Sequence, residues 1–337
     1  MRARPTMVDV AEMAGVSLKT VSRVINEEQG VRAETATRVR EAVTVLGYRA
    51  NDTARNLRRR QRPATIGLVI EDVRNPFYSS IARAVEELAR LHGHMVVIAN
   101  SNEDPAEEQK AVGTLLERQV TGLLIVPAGS DHGYLLEEIR HGTVLVFMDR
   151  PAQGVRADEV LIDNMGGARH ATEHLLARGH RRIGVVGDPP TVYTVVERVG
   201  GFRQAMAAAG VPVDGSLIRL GGRDVAQAEA ATRELLSMAD PPTAVFTTNN
   251  RASIGVLRAL RGREGTVALV GFDDFELADM LPLPVTVVKH DPALMGRTAA
   301  ELLFGRLSGD ERPPQRIVLP TLLVPRGSGE IGAETGS

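Results

Sequence analysis

Four side chains near the N-terminus, Leu18, Lys19, Ser22 and Arg23, fall on one side of a helix when successive residues are set about 100° apart, while Val21, Val24 and Ile25 fall on the other. A basic, hydrogen-bonding face of this kind suits the DNA major groove. Lys19 and Arg23 can reach guanine O6 and N7, and Ser22 can bond a base edge or a phosphate. Further on, the apolar Leu57 stands among Arg55, Arg58, Arg59 and Arg60. A wedge inserted between base steps of a minor groove, flanked by phosphate-binding arginines, has this composition. Taken alone, the segment reads first as a solvated linker ahead of Pro63. Catalysis finds no equivalent set of groups. Cysteine is absent, no Gly-rich loop precedes a Lys-Ser/Thr pair, and the eight histidines lack zinc-ligand spacing. His170 and His174 are four apart and read as a surface pair. The expectation is a protein that is not an enzyme, with no catalytic residues, no metal and no cofactor.

The elements that must hold the reading face are legible. Thr6-Met7-Val8-Asp9 can form a capping box, so a helix is predicted to begin at Met7, with Val10, Ala11 and Ala14 on one face. Gly15 is placed to take the left-handed conformation that ends it. Ser17 opens a second helix, 18–26, and a third, about 34–46, brings Val39, Val43 and Leu46 to a small core. Two short helices joined by a Gly-containing turn make a helix-turn-helix, whose second helix enters the groove. The alternative is a plain helical hairpin with a solvated charged face. Asn51 is a good N-cap, and Asn51, Ala54 and Leu57 recur every third residue, but the segment is too short and too charged to hold a helix without a partner.

Charge divides the same way. The first 62 residues hold 13 Lys/Arg against 7 Asp/Glu, a balance of +6, which leaves −8 for the remainder of a 337-residue chain whose formal total is −2. A basic head on an acidic body suits a head that meets phosphates. The absence of cysteine fits a reducing compartment, and no signal-peptide core or uninterrupted membrane span is apparent, so the expectation is a cytoplasmic protein. From about Thr65, apolar runs at 66–70, 95–99, 122–126, 144–148, 183–187, 244–248 and 267–271 alternate with helical patterns at 79–91, 105–118, 166–178, 199–209 and 251–261. Such alternation predicts parallel sheets with helices on both faces. Its length calls for two doubly wound subdomains, changing over near Val160 to Asn164 and again near His290, with a cleft between the carboxyl ends of their strands.

The run TMVDVAEMAGVSLKTVSRVIN, residues 6–26, resembles the N-terminal signature of the lactose-repressor (LacI/GalR) family. The resemblance continues through Leu46-Gly47-Tyr48 and through residues 51–57, which look like that family's hinge helix. In the body it runs through Asn75-Pro76-Phe77-Tyr78, Asp149-Arg150, Asp163-Asn164, residues 197–202 and Gly271-Phe272-Asp273-Asp274, in order. It implies an all-α helix-turn-helix head at 1–50, a hinge helix and linker at 51–62, and an α/β periplasmic-binding-protein-like body of two doubly wound parallel-sheet subdomains at 63–337. The N-subdomain would take about 63–162 and 291–320, the C-subdomain about 163–290 and 321–327, and 328–337 would be a flexible tail.

The resemblance further implies a sequence-specific transcription regulator, a repressor controlled by a small-molecule effector bound between the subdomains. Its DNA contacts would be Thr6, Ser17, Leu18, Lys19, Thr20, Ser22, Arg23, Asn26, Asn51, Ala54, Arg55, Leu57 and Arg58, with Leu57 as the wedge. Effector contacts would be Asp72, Phe77, Asp149, Arg198, Asn249 and Asp273, with Phe77 or Phe272 as an apolar wall. Carboxylates, an amide and a guanidinium fork suit a sugar or sugar derivative. A nucleobase or another metabolite remains the alternative ligand, and a solute-binding protein without a DNA role the alternative function. Asn75 and Asp163-Asn164 read equally as turn or cap residues. Asn250, Val287 and His290 depart from the family pattern, and the lack of tryptophan removes a Trp stacking platform. The expected partners are a pseudo-palindromic double-stranded operator, the effector and a second copy of the chain. The Gly-rich C-terminus lacks heptads, so a dimer is expected without a terminal coiled coil, and no membrane.

Overall fold

Single side chains set the ends of the N-terminal helices. In the computed structural model, which describes residues 5–25, 31–46 and 64–333, helix α1 (Met7–Ala14) starts on Thr6. The Thr6 hydroxyl oxygen accepts the Asp9 N–H at 3.4 Å, and the Asp9 carboxylate accepts the Thr6 N–H at 2.6 Å. Gly15, at φ 61°, ends the helix and donates to the Glu12 carbonyl. Helix α2 (Leu18–Ile25) starts where Ser17 Oγ accepts the Thr20 N–H at 3.2 Å, and α3 (Ala33–Leu46) completes the unit. Its core is Val10, Ala11, Ala14, Val21, Val24, Val39 and Ala42, with Val43 and Leu46 packed at the margin. A core this small leaves little reserve: deleting two Val21 methyls costs about 2 kcal/mol.

Residues 65–337 form a separate unit. Five strands, β1 (Thr65–Ile70), β2 (Met95–Asn100), β3 (Gly122–Ile125), β4 (Val144–Met148) and β5 (Asp158–Ile162), build the first lobe in the order β5-β4-β3-β1-β2. Five more, β6 (Ile183–Gly187), β7 (Ile218–Leu220), β8 (Ala244–Thr247), β9 (Ala268–Phe272) and β10 (Thr286–Lys289), repeat that order in the second lobe as β10-β9-β8-β6-β7. All these neighbours are parallel. Two late strands finish the edges: β11 (Arg316–Leu319) joins β5 in parallel, and β12 (Leu322–Val324) joins β10 antiparallel. The central strands β3, β6, β8 and β9 are buried throughout, as expected of parallel sheets covered on both faces.

Helices α4 (Pro76–Leu91), α5 (Pro105–Glu117) and α6 (Leu136–Arg140) belong to the first lobe, and α8 (Tyr193–Ala208), α9 (Val225–Leu236) and α10 (Asn250–Ala259) to the second. After each lobe's fifth strand the chain crosses over. Helix α7 (Asn164–Leu176) leaves β5 and packs on α8, and α11 (Pro292–Leu307) leaves β10 and packs on α4. Helices α4, α5 and α11 share a start: Asn75, Asp104 and Asp291 cap from β-region backbone, each followed by a proline that is pre-set for the first turn. The strand order reverses between β1 and β3, and again between β6 and β8, which opens a crevice at the carboxyl ends of both sheets.

Strand β5 lies where the sequence suggests only a changeover. It carries buried Asp158 and Glu159, paired with Arg306 at 2.8 Å and Arg316 at 2.6 Å, so it does not read as an apolar run. The expectation of a flexible tail from residue 328 is corrected over 328–333. Ser328 is buried, with its hydroxyl donating to the Leu269 carbonyl at 2.6 Å and accepting the Thr286 N–H at 2.9 Å. His180 Nε2 lies 2.8 Å from the Ile331 carbonyl oxygen. Gly329 is there because a Cβ would stand 2.9 Å from Thr286 Cβ; close approach, not flexibility, selects it. Among the described residues no helix is long and apolar enough to cross a membrane.

Candidate recognition helix and candidate effector cleft

Helix α2 turns Val21 and Val24 into the small core, which leaves Leu18, Lys19 and Arg23 exposed and Ser22 half-buried on the opposite side. Leu18 is 49% exposed, an apolar group held out in solvent beside two cations. This face can offer two cationic donors to guanine edges and an apolar contact to a thymine methyl. The other expected contacts in this unit sit at helix ends. Thr6 is engaged with Asp9, its hydroxyl donating to the carboxylate at 2.7 Å, and Ser17 Oγ lies 2.9 Å from Thr20 Oγ1. Backbone N–H groups at such starts also suit phosphate oxygens. Asn26, Asn51, Ala54, Arg55, Leu57 and Arg58 lie outside the described residues, as does the whole hinge segment.

The cleft is built from residues that immediately follow strands. Asp149 follows β4 and Asp273 follows β9, and both adopt the left-handed region, at φ 66° and 67°. Each donates its N–H to the neighbouring fifth strand, Asp149 to Val160 at 2.9 Å and Asp273 to Val288 at 3.0 Å. Left-handed backbone is costly for a side-chain-bearing residue, and its recurrence at two equivalent sites marks positions held by their surroundings. Arg198, from α8, donates through Nε to Asn164 Oδ1 at 2.8 Å and through Nη1 to Asp273 Oδ2 at 3.1 Å, and also donates to the Thr248 carbonyl. Its guanidinium lies 3.8 Å above the Phe272 ring. His290 Nε2 approaches Asp273 Oδ1 at 3.0 Å. Asn249 caps α10 through Oδ1 and donates through Nδ2 to Asp188. Phe77 is half-buried at the rim, edge-on to Tyr78 and His290.

Two expected contacts are corrected. Phe272 is fully buried beneath Arg198 and presents no wall to a ligand; it backs the guanidinium instead. Asp72 is not among the residues lining the chamber that holds Asp149 and Asp273. Its carboxylate accepts Arg74 at 3.0 Å and Arg251 Nη2 at 3.1 Å, beside a side mouth of the cleft. Phe77, Asp149, Arg198, Asn249 and Asp273 line one chamber.

Residues outside the expected contact set bridge the lobes or brace the cleft. Arg251, at the start of α10, donates through Nη1 to Glu71 Oε1 at 2.8 Å as well as to Asp72, and Asn250 Nδ2 donates to Asn75 Oδ1 at 3.0 Å. Arg150 donates through Nη2 to Glu103 at 2.9 Å and through Nη1 to the Pro127 carbonyl at 2.7 Å. Glu71, Asp188 and Arg251 each lie within four residues of a strand's carboxyl end, so that position is the signal that could have found them.

Electrostatics differs within this chamber. Burial raises the Asp149 carboxyl despite Arg150 and Arg198. Burial would also raise Asp273, but the Arg198 guanidinium and the His290 ring outweigh it and hold that carboxyl below its usual range. Burial, with Glu71 and Glu103 nearby, pushes Asp188 up to about 6, and burial beside Glu103 raises Glu71. Opposed carboxylates and forked donors between two lobes can bind vicinal hydroxyls from both sides.

Comparison with known proteins supplies the family. A model of bacterial regulatory proteins of the lacI family matches residues 6–51, and a model of the periplasmic binding protein-like domain matches residues 172–329. The HTH-type transcriptional regulator CelR of Thermobifida fusca is 37% identical, over 97% of this chain and 99% of its own. The solved complex of the transcriptional regulator CelR with cellobiose is 35% identical, with a TM-score of 0.70 over 96% of this chain and all of the other. The Lac repressor dimer bound to operator and the anti-inducer ONPF is 26% identical, with a TM-score of 0.79 over 97% and 99%.

Proposed function

This chain belongs to the lacI family of bacterial regulatory proteins and is a DNA-binding transcription regulator, and from that premise we propose that it is a cytoplasmic repressor controlled by a sugar or sugar derivative bound between its two lobes. The observation that carries the ligand reading is the convergence of Asp149, Arg198, Asn249 and Asp273, from four separate elements, on one chamber at the carboxyl ends of both sheets. Arg198 is the pivot, with one guanidinium reaching Asp273, Asn164 and the Thr248 carbonyl. Sugar hydroxyls can replace parts of that network bond for bond, which is how such a cleft recognises a neutral polyol.

Two copies pair through their bodies and present two α2 helices to a pseudo-palindromic operator, where Leu18, Lys19, Ser22 and Arg23 read each half-site. Two exposed apolar surfaces support pairing. Edge strand β2 shows Met95, Val97 and Ile98, and the segment after β9 shows Leu277 and Met280 beside a groove flanking α10. In the operator complex Leu57 is wedged at the operator centre, and effector binding changes the spacing of the two copies of this wedge.

The test is an operator-binding titration of the full chain across a panel of sugars, nucleosides and nucleobases. A sugar that shifts operator affinity supports the reading; a response to nucleobases alone overturns the ligand class. For the hinge, Leu57→Ala should weaken specific binding about tenfold or more while leaving nonspecific binding within about twofold. Equal losses on both would remove the wedge.

A further inference from the structure

The peptide unit that joins Pro127 to Ala128 is held by a charged group on each side. Its carbonyl oxygen accepts Arg150 Nη1 at 2.7 Å, and its N–H donates to Glu108 Oε2 at 2.5 Å. The unit lies just beyond the carboxyl end of β3, where connecting backbone ordinarily turns to water. Here it forms cleft wall instead. Pro127, Ala128 and Gly129 face Val192 and Tyr193 of the second lobe across a chamber that shares Arg150 with the one holding Asp149.

Both charged groups are themselves fixed. Glu103 accepts Nη1 and Nη2 of Arg150, and Asn102 and Glu103 are left-handed in succession, at φ 52° and 61°, a backbone conformation costly for residues with side chains. Glu108, on α5, is only 1% exposed. Its Oε1 accepts the Tyr134 hydroxyl at 2.7 Å and lies 3.5 Å from His132 Nε2. His132 in turn pairs with Gln153: its backbone N–H donates to the Gln153 carbonyl at 2.9 Å, and its Nδ1 accepts the Gln153 N–H at 3.2 Å. One buried carboxylate thus ties α5 to the loop after β3 and, through His132, to the loop after β4. Packing leaves the first loop no slack, since a Cβ on Gly129 would stand 3.2 Å from Pro105 Cβ. A carboxylate is costly to bury, and this one hydrogen-bonds a backbone amide and a hydroxyl rather than a cation. An apolar side chain at 108 would serve the packing of α5 alone; the carboxylate serves the wall.

We propose that Glu108 is a positioning residue of the effector site: it touches no ligand, and through the Pro127–Ala128 peptide it sets the first lobe's wall in the geometry that binds. This rests on the reading of the cleft as the effector site. A wall fixed beforehand lowers the ordering cost of binding, so releasing it loses affinity even though every contacting residue remains.

The test joins amide hydrogen exchange with calorimetric titration of the full chain. In the unmodified chain the Ala128 N–H should exchange at least about a hundredfold more slowly than that of Gly129, which bonds no acceptor, and equal rates overturn the clamp. Glucose, galactose, xylose, ribose and cellobiose are then titrated into the unmodified chain and two variants. Glu108→Leu, which gives the Ala128 N–H no acceptor, should weaken the tightest of these sugars at least about tenfold. Glu108→Gln, which keeps a carbonyl oxygen there, should retain affinity within about threefold. Effector-free operator affinity should stay within about twofold in both, a split that general unfolding would not give. Full sugar affinity in Glu108→Leu, or an operator loss as large as the sugar loss, overturns the positioning role. If none of these sugars binds the unmodified chain, the sugar reading falls, and the exchange rates alone uphold or overturn the clamp.

Discussion

Asp149 and Asp273 hold equivalent places in two lobes of the same strand order: each follows a fourth strand, each is left-handed, and each donates its N–H to the fifth strand. Their carboxyls nevertheless move in opposite directions, Asp149 up and Asp273 down. Topology fixes the backbone in both lobes alike. The ionisation of each group is set by what surrounds it, because Arg198 and His290 bond Asp273 directly, whereas Asp149 has Arg150 at 3.6 Å with no hydrogen bond. One lobe thus supplies a carboxylate already matched to a cation, and the other a carboxyl whose needs a ligand can meet.

The largest effect should come from the pivot of that difference. Arg198→Ala leaves Asp273 buried with only His290, so it should abolish the effector response and lower unfolding stability by about 3 kcal/mol in a urea titration, with effector-free operator binding nearly intact. An unchanged dose response would take Arg198 out of the site. The paired substitutions come next. Asp273→Asn breaks the Arg198 ion pair and should cost about 2 kcal/mol, while Asp149→Asn removes a charge that burial disfavours and should cost less than about 1 kcal/mol. Equal losses would erase the asymmetry between the lobes.

A smaller effect concerns pH. Asp188, raised to about 6 in the folded chain against an ordinary value of 3.8, holds its proton more tightly folded than unfolded. Its contribution therefore favours the folded body at low pH and is lost as pH rises from about 4 through about 6. The stability difference between the unmodified chain and Asp188→Asn should fall by about 3 kcal/mol across that window; a flat difference would mean that neither burial nor Glu71 and Glu103 raise it. Smallest is Arg251→Leu. Its pairs with Glu71 and Asp72 are partly solvent-exposed, so their loss should cost about 0.5 kcal/mol, yet it removes a cross-lobe clasp and should enlarge the radius measured by small-angle scattering.

What the sequence reveals follows the range of the interactions. The head is legible because Thr6, Gly15 and Ser17 each act within three or four residues. Buried central strands announce themselves as apolar runs. Edge strands β7, β11 and β12 alternate or half-expose their residues, β5 carries buried ion pairs, and these four stay hidden, as does the short β10. In the cleft, position after a strand exposes Asp149 and Asp273. The clasp joins residues 180 positions apart, Arg251 to Glu71, and no local pattern encodes such a pairing. Phe272 misleads for the complementary reason: an aromatic at a strand's end reads as a wall, and only packing shows it lying under Arg198.

One cleft and one DNA-reading head should share a coupling free energy. Operator affinity of the full chain should be measured with and without a sugar found to bind, and sugar affinity with and without operator. Coupling predicts that both shift by the same factor, about 5- to 150-fold. A sugar that binds the cleft tightly but moves operator affinity by less than about twofold would contradict it.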